Sequence, residues 1–369
     1  MDARRARRPS PRAAVAVALG CAALLAAGCE SDGETGITPW REALPDLGAL
    51  YYAFPDVDAA TAAEASAPGV QAAPLVGAES ELYAAGRDAT KTVNRAIDAY
   101  LVAAQRVMRN LTPRRVSDSR VVWRGIAPNA LDEDLLVVQR ADDGHFEYAL
   151  WSRDQVRAEA QWRFRLYGST TPVDGARRGR GVLWVDLEGD RLPGTRGKVL
   201  ALWENLRNKK EVAVTFFAAT TDEDAPARTR SFIFQRSDSG NLMAFGPELV
   251  DVHDTPDRAA LEEVRLLTRW TSGGSGRSDA TVTAGDVAAR GYAVLFRTEC
   301  WASPDHAVRY EATAVRARTN AGAGPLQVLK EDGDRAACPL AEPETAVVPS
   351  IGDEPEEPAL PPEASEPTP

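Results

Sequence analysis

No HExxH, CxxC, GxSxG or Walker phosphate loop occurs in these 369 residues. Those absences remove the short signatures of zinc hydrolases, dithiol redox enzymes, nucleophile-elbow hydrolases and P-loop nucleotidases. Histidine is scarce too, with three in the chain. His145 sits in a tight turn, His253 in DVHDTPD and His306 in SPDH. A zinc site built from them would need distant loops to converge, so no metal is expected. His253 beside Asp251, Asp254 and Asp257 reads as a solvated loop whose Asp caps a helix starting near Pro256. Asp186, Glu188 and Asp190 alternate like part of a calcium loop, but the later ligands are missing and a hairpin turn is the better reading. Acids are plentiful without forming an organised carboxylate pair, which leaves a glycosidase unsupported. The expectation is no catalytic residue and no cofactor.

Basic charge is in deficit. The formal net charge is −11, and it becomes −15 (38 bases against 53 acids) if residues 1–28 are removed. That balance disfavours nucleic acid as a partner, because phosphate contact needs a basic surface. It equally disfavours electrostatic adhesion to anionic lipid.

A long apolar run is missing as well. The charge-free stretch AAVAVALGCAALLAAG, residues 13–28, falls short of the ~20 residues a transmembrane helix needs. Arg4, Arg5, Arg7, Arg8 and Arg12 precede it, giving the form of an export signal. Its end, LLAAG followed by Cys29, resembles the lipobox of bacterial lipoproteins. It departs from the usual pattern in having Ala26 three residues before the cysteine and Leu25 one further back. The resemblance implies cleavage after Gly28, acylation of Cys29 and anchoring to the bacterial cell envelope, at the outer membrane in preference to the inner. Alternatives are ALGC ending at Cys21, with a very short apolar core, or an ordinary cleaved signal peptide. The arginine pairs hint at twin-arginine export, but no Phe-Leu-Lys follows.

Four cysteines occur. Processing would remove Cys21 and acylate Cys29, leaving Cys300 and Cys338 in an oxidising compartment. A disulfide between them is expected, closing a loop of about 38 residues worth roughly 3–4 kcal/mol by chain entropy. Two unrelated buried thiols are the alternative.

Residues 29–86 are rich in Ala, Pro, Gly and acids and read as a flexible tether. From about Ala89 to Leu111, Val93, Ile97, Tyr100, Leu101, Ala104, Met108 and Leu111 recur every three or four residues, which makes an amphipathic helix ended by Pro113. Beyond Arg120 the period becomes two. Phe146/Tyr148/Leu150, Trp162/Phe164/Leu166, Val212/Val214/Phe216, Phe232/Phe234 and Val294/Phe296 alternate with polar residues. Short polar or glycine-bearing turns between such runs mean hairpins. The expected fold is mainly β with minor α. About ten or eleven antiparallel strands between Arg120 and Ala314 form a meander, a curved sheet or half-barrel packed on the amphipathic helix. The expected organisation is a signal peptide (1–28), a lipidated cysteine and tether (29–86), a helix-plus-β domain (87–338) and a disordered Pro/Glu-rich tail (339–369) with nine prolines, eight acids and no base.

The order of lipobox, tether, amphipathic helix and antiparallel meander resembles the lipoprotein-carrier (LolA/LolB-like) half-barrel class. It also resembles exported lipoproteins of high-GC Gram-negative bacteria. The carrier resemblance implies an incomplete barrel holding acyl chains, but it transfers no individual site residue. The expected function is a non-enzymatic, lipid-anchored envelope lipoprotein that binds an apolar ligand or supports an envelope assembly. Its partners would be the membrane, through the acylated N-terminus, and an apolar ligand or envelope protein. The alternative is an envelope hydrolase with dispersed catalytic residues.

Overall fold

A computed structural model describes residues 37–54, 76–126, 131–155, 161–173, 178–188, 196–220, 227–238, 240–250, 261–320, 322–341 and 359–365. The side chains of residues 99, 100 and 250 lie outside that description, and so does the proposed stripe position Tyr100. A compact unit runs from Trp40 to Pro369.

Two short helices, α1 (Thr38–Arg41) and α2 (Leu47–Leu50), precede the long helix α3 (Glu81–Asn110). Then come β1 (Pro113–Ser117), β2 (Arg120–Ile126), β3 (Asp132–Arg140), β4 (Phe146–Asp154) and β5 (Arg163–Pro172). They are followed by β6 (Gly179–Asp186), β7 (Arg196–Asn205), β8 (Lys210–Thr220), β9 (Arg228–Ser237) and β10 (Gly240–Val250). The chain continues through β11 (Glu262–Trp270), β12 (Gly276–Ala284), the short α4 (Gly285–Ala289), β13 (Tyr292–Trp301), β14 (Val308–Thr319) and β15 (Gly322–Gly333).

Among the described residues fifteen strands form one antiparallel sheet in sequence order, from β1 at one edge to β15 at the other. The sheet is curved and unclosed. The expected antiparallel meander on a helix is therefore present. Its strands outnumber the expected ten or eleven: thirteen, β2 to β14, lie in the region assigned to the meander, and β1 and β15 flank it. The edge strand β15 carries Pro325 and Lys330, residues suited to an edge because Pro cannot donate to a ladder and a charge discourages further pairing.

Register divides the side chains between two faces. Val121, Trp123, Leu136, Val138, Tyr148, Leu150 and Leu166 lie on one face, which continues through Val185, Val199, Val212, Phe234, Met243, Leu266, Val282 and Trp301. This inner face holds α3. The helix touches β10, β11 and β12 as well as β2 and β3, so distant parts of the sheet curl round it. Ser80 caps α3 by accepting from the Tyr83 N–H at 3.0 Å. Buried Glu299 of β13 accepts from the Ser80 hydroxyl at 2.6 Å and the Leu82 N–H at 3.1 Å, placing a carboxylate at the helix N-terminus. Leu82, Val93, Ile97, Leu101, Ala104, Val107 and Met108 are all buried along the helix.

The helix begins eight residues before Ala89, the expected start. Gly86 disguises its first turns, because Gly weakens a helix. Its role is close approach: a Cβ there would meet the Phe54 ring at 2.9 Å.

The expected tether is corrected for its described part. Trp40, Leu44, Leu50, Tyr52 and Phe54 are buried. Trp40 meets Phe146 edge-on at 5.7 Å, Tyr52 meets Phe234 at 5.5 Å and Phe54 meets Trp270 at 4.9 Å. Asn94 of α3 binds both the N–H and the C=O of Tyr52, at 2.8 and 3.0 Å. Aromatic spacing in this segment follows neither period, so the sequence pattern concealed it. The rest of residues 29–75 lies outside the described residues, apart from 37–39.

A second correction concerns β5. A bulge pairs Trp151 with Phe164 directly after Leu150 with Leu166. It turns Phe164 to the outer face while Leu166 stays inside, because an extra residue reverses the alternation.

Candidate functional site

Among the described residues, α3 and the aromatic segment around Trp40–Phe54 occupy the inner face. Trp123, Trp184 and Trp301 are essentially inaccessible, and Trp40, Trp151, Trp203 and Trp270 are buried. The tryptophans are packing residues with their rings against neighbours.

The histidines are placed as follows. His145, between β3 and β4, contacts Asp143 closely and stands 3.6 Å from Glu147. Desolvation works against its charged form, but Asp143 and then Glu147 outweigh it and raise the pKa. His306 is buried and stacks on Tyr83 with ring centres 4.0 Å apart. His145 thus lies in the turn before β4 and His306 in the loop between β13 and β14. His253 and its neighbouring acids lie outside the described residues, as do Asp190, Cys21 and Cys29. Asp186 accepts from the Glu188 N–H at 2.9 Å, which is a turn. Among the described residues no group of three His, Cys, Asp or Glu is placed to hold a metal ion, and no helix is long and apolar enough to cross a membrane. Cys300 and Cys338 are joined, with Cα atoms 5.2 Å apart.

The feature that sequence reasoning missed is on the outer face. Val122, Leu135, Val137, Ala149, Trp151, Phe164, Trp184 and Leu200 form an apolar cluster there, with Trp162, Tyr167 and Val182 packed against it. A sheet with one solvated face would show polar residues in these places. The cluster is completed by Ala364, from the segment expected to be a disordered tail. Residues 359–365 lie on this face, with Pro361, Glu363 and Ala364 buried. A 3-10 turn over Pro362–Ser365 shapes them, and Pro at its start is pre-organised for it. The expectation of a tail with no packed part is thereby corrected. Composition misled because a few residues can dock on an apolar cluster without a core of their own. Residues 342–358 and 366–369 lie outside the described residues.

Polar contacts fix the segment. Arg120 donates to Glu363 Oε2 at 2.7 Å. Arg124 donates to the Glu363 carbonyl at 2.6 Å, and the Trp162 indole N–H donates to the Ala364 carbonyl at 3.1 Å. Beneath them Glu133, fully buried, binds Arg124 at 2.7 Å, Arg153 at 2.5 Å and Gln155 at 2.9 Å. The guanidinium carbons of Arg124 and Arg153 lie 5.4 and 4.7 Å from the Trp162 ring centre, within cation–π range. One buried carboxylate thus orients two cations around one indole. Two grooves open on the same face. One of about 310 Å³ runs beside Leu360 and Pro361, against Val137, Ala149, Trp151 and Tyr167. Another of about 540 Å³ lies over Arg180, Val182, Leu202, Glu204 and Ala213.

No family model, curated protein or solved structure matches the chain.

Proposed function

We propose that this protein is a non-enzymatic, lipid-anchored envelope lipoprotein that supports an envelope assembly rather than carrying an apolar ligand. The anchor rests on the lipobox-like run ending at Cys29 and on the basic residues before it. The observation that favours assembly over carriage is the filled inner face. A carrier needs room for acyl chains, whereas here Leu101, Val107, Met108 and Phe54 take up the concavity. A filled curved sheet is a rigid platform, and its outer face, part of which residues 359–365 cover, is the side on which a partner would dock.

Two measurements test this. Cells producing the protein are labelled with radioactive palmitate: the native chain takes up label and Cys29→Ala does not. Continued labelling of that variant would remove the anchor from Cys29. The protein extracted in mild detergent is then weighed by native mass spectrometry. The platform reading expects the covalently acylated mass alone, and a stoichiometric non-covalent lipid would overturn it in favour of carriage.

A further inference from the structure

We propose that the chain's C-terminal stretch is a strap on the outer face, fixed at one end and latched at the other. Undoing the latch uncovers the outer aromatic cluster while helix and sheet stay folded. This reading goes beyond the anchored platform and does not depend on it.

The outer face carries two clamps of one design. At the first, buried Glu133 of β3 holds Arg124 and Arg153, and Arg124 donates to the Glu363 carbonyl. At the second, buried Asp279 of β12 accepts from Arg277 at 2.7 and 2.9 Å and stands 3.7 Å from Arg269. Arg277 reaches the Leu340 carbonyl at 3.5 Å, and Arg269 reaches the Ala341 carbonyl at 2.5 Å. Register puts both clamps on one side of the sheet. Arg124 follows inward Trp123, while Arg277, paired with Cys300, lies one residue from the inward pair Gly276 and Trp301. In each clamp a carboxylate of the sheet aims guanidinium groups at main-chain carbonyls of the C-terminal stretch. Pre-organisation of this type lowers the cost of docking. Seventeen residues, 342–358, join the clamps. They reach up to roughly 56–61 Å, against about 34 Å for the seven strand steps from β11 to β4, so both clamps can be filled at once.

The two ends differ in kind. Cys338 is bonded to Cys300 of β13 just before Leu340 enters its clamp, so that end stays in place. Residues 359–365 belong to no strand of the sheet. Arg120, Arg124 and Trp162 tie them down by hydrogen bonds, while Ala359, Leu360, Pro362 and Ser365 remain exposed. These few contacts must offset the entropy of ordering seven residues. Attachment to the body supplies what they lack, because a tethered segment meets its site at a high effective concentration. Such a segment lifts and redocks without unfolding what lies beneath. Glu133 holds its arginines through contacts within the sheet, and α3 packs on the opposite face. The latch proper is the charge-assisted bond from Arg120 to buried Glu363. Lifting it removes Ala364 from the cluster that it completes.

The test is hydrogen exchange on the full chain, read by mass spectrometry, together with binding of the neutral dye Nile red and thermal unfolding. In the unaltered chain the amides of Glu363 and Ala364 should exchange at least roughly a hundredfold faster than those of β3 and β4, through an opening insensitive to low denaturant. Glu363→Lys sets a cation against Arg120 and should speed their exchange by at least a further factor of roughly ten, the scale of one lost charge-assisted bond. Dye fluorescence should rise and the melting temperature should stay nearly unchanged. Adding Arg120→Glu to that variant reverses the charge pair and should restore slow exchange and low dye binding. A chain ending at Pro358 should bind the dye as Glu363→Lys does. Exchange of the segment in step with β3 and β4, or a melting temperature that collapses in Glu363→Lys, would make the segment part of the core and overturn the latch. Failure of the charge reversal to restore protection, or no dye binding by the shortened chain, would overturn it as well.

Discussion

Lys210 sits where a lysine is expensive to keep charged. Its side chain reaches inward from β8 and donates to the Gly48 carbonyl at 2.7 Å and the Tyr51 carbonyl at 2.5 Å, tying the end of α2 to the sheet. Burial pulls its pKa from the usual lysine range to about 8, with Arg236 acting in the same direction and Asp46 against it. Between pH 8 and the unfolded value near 10.4 the unfolded chain holds a proton that the folded chain has released, so this group makes stability rise with pH. The buried hydroxyls of Tyr52 and Tyr148 and the half-buried hydroxyl of Tyr51, bonded to Asp98, have raised pKa values and act oppositely above pH 10, which confines the window to pH 8–10. Urea unfolding at pH 7, 8, 9 and 10 should show a gain in the native chain that is reduced in Lys210→Met by up to about 1.4 kcal/mol per pH unit. Parallel profiles for the two chains would contradict the shifted lysine. None of this was legible in the sequence, where Lys209 and Lys210 are two adjacent bases in a turn. Only the register, which points Lys210 inward and leaves Lys209 with Glu204 and Glu211, separates them.

Among the elements, α3 decides what kind of β-protein this is. Its stripe was readable because a long helix repeats the same signal many times. Two kinds of element were hidden for physical reasons. The Trp40–Phe54 segment is held by aromatic contacts and by Asn94, Asp98 and Lys210, partners that are distant in sequence. The docked segment at residues 359–365 has the composition of a solvated tail, and only the apolar cluster opposite it gives it a place. The bulge in β5 is a third case: one inserted residue changes which face Phe164 serves, and alternation alone cannot reveal it. The sharpest test of α3 is Leu101→Asp, which puts a carboxylate at a position with no exposed surface. Burying an unpaired charge costs several kcal/mol, a large part of the ~5–15 kcal/mol that stabilises a typical domain. Thermal unfolding of the full chain should therefore shift down strongly or lose cooperativity. An unchanged melting temperature would mean that the helix is not part of the core.

For the whole molecule, helix, aromatic segment and sheet form one packed body, with a disulfide between Cys300 and Cys338 and an outer apolar face covered in part by the chain's own end. Among the described residues its inner side is occupied by α3 and the aromatic segment. The carrier resemblance rests on element order, which a filled and a hollow sheet share; occupancy depends on packing that element order does not encode. Native-state hydrogen exchange on the full chain tests the difference most directly. If the helix is core, the amides of α3 from Val93 to Met108 open only with those of β3, β4 and β12, at the same free energy and with the same dependence on denaturant. If α3 exchanges orders of magnitude faster than those strands, by an opening that leaves the sheet intact, the helix is a detachable lid and the filled platform is wrong.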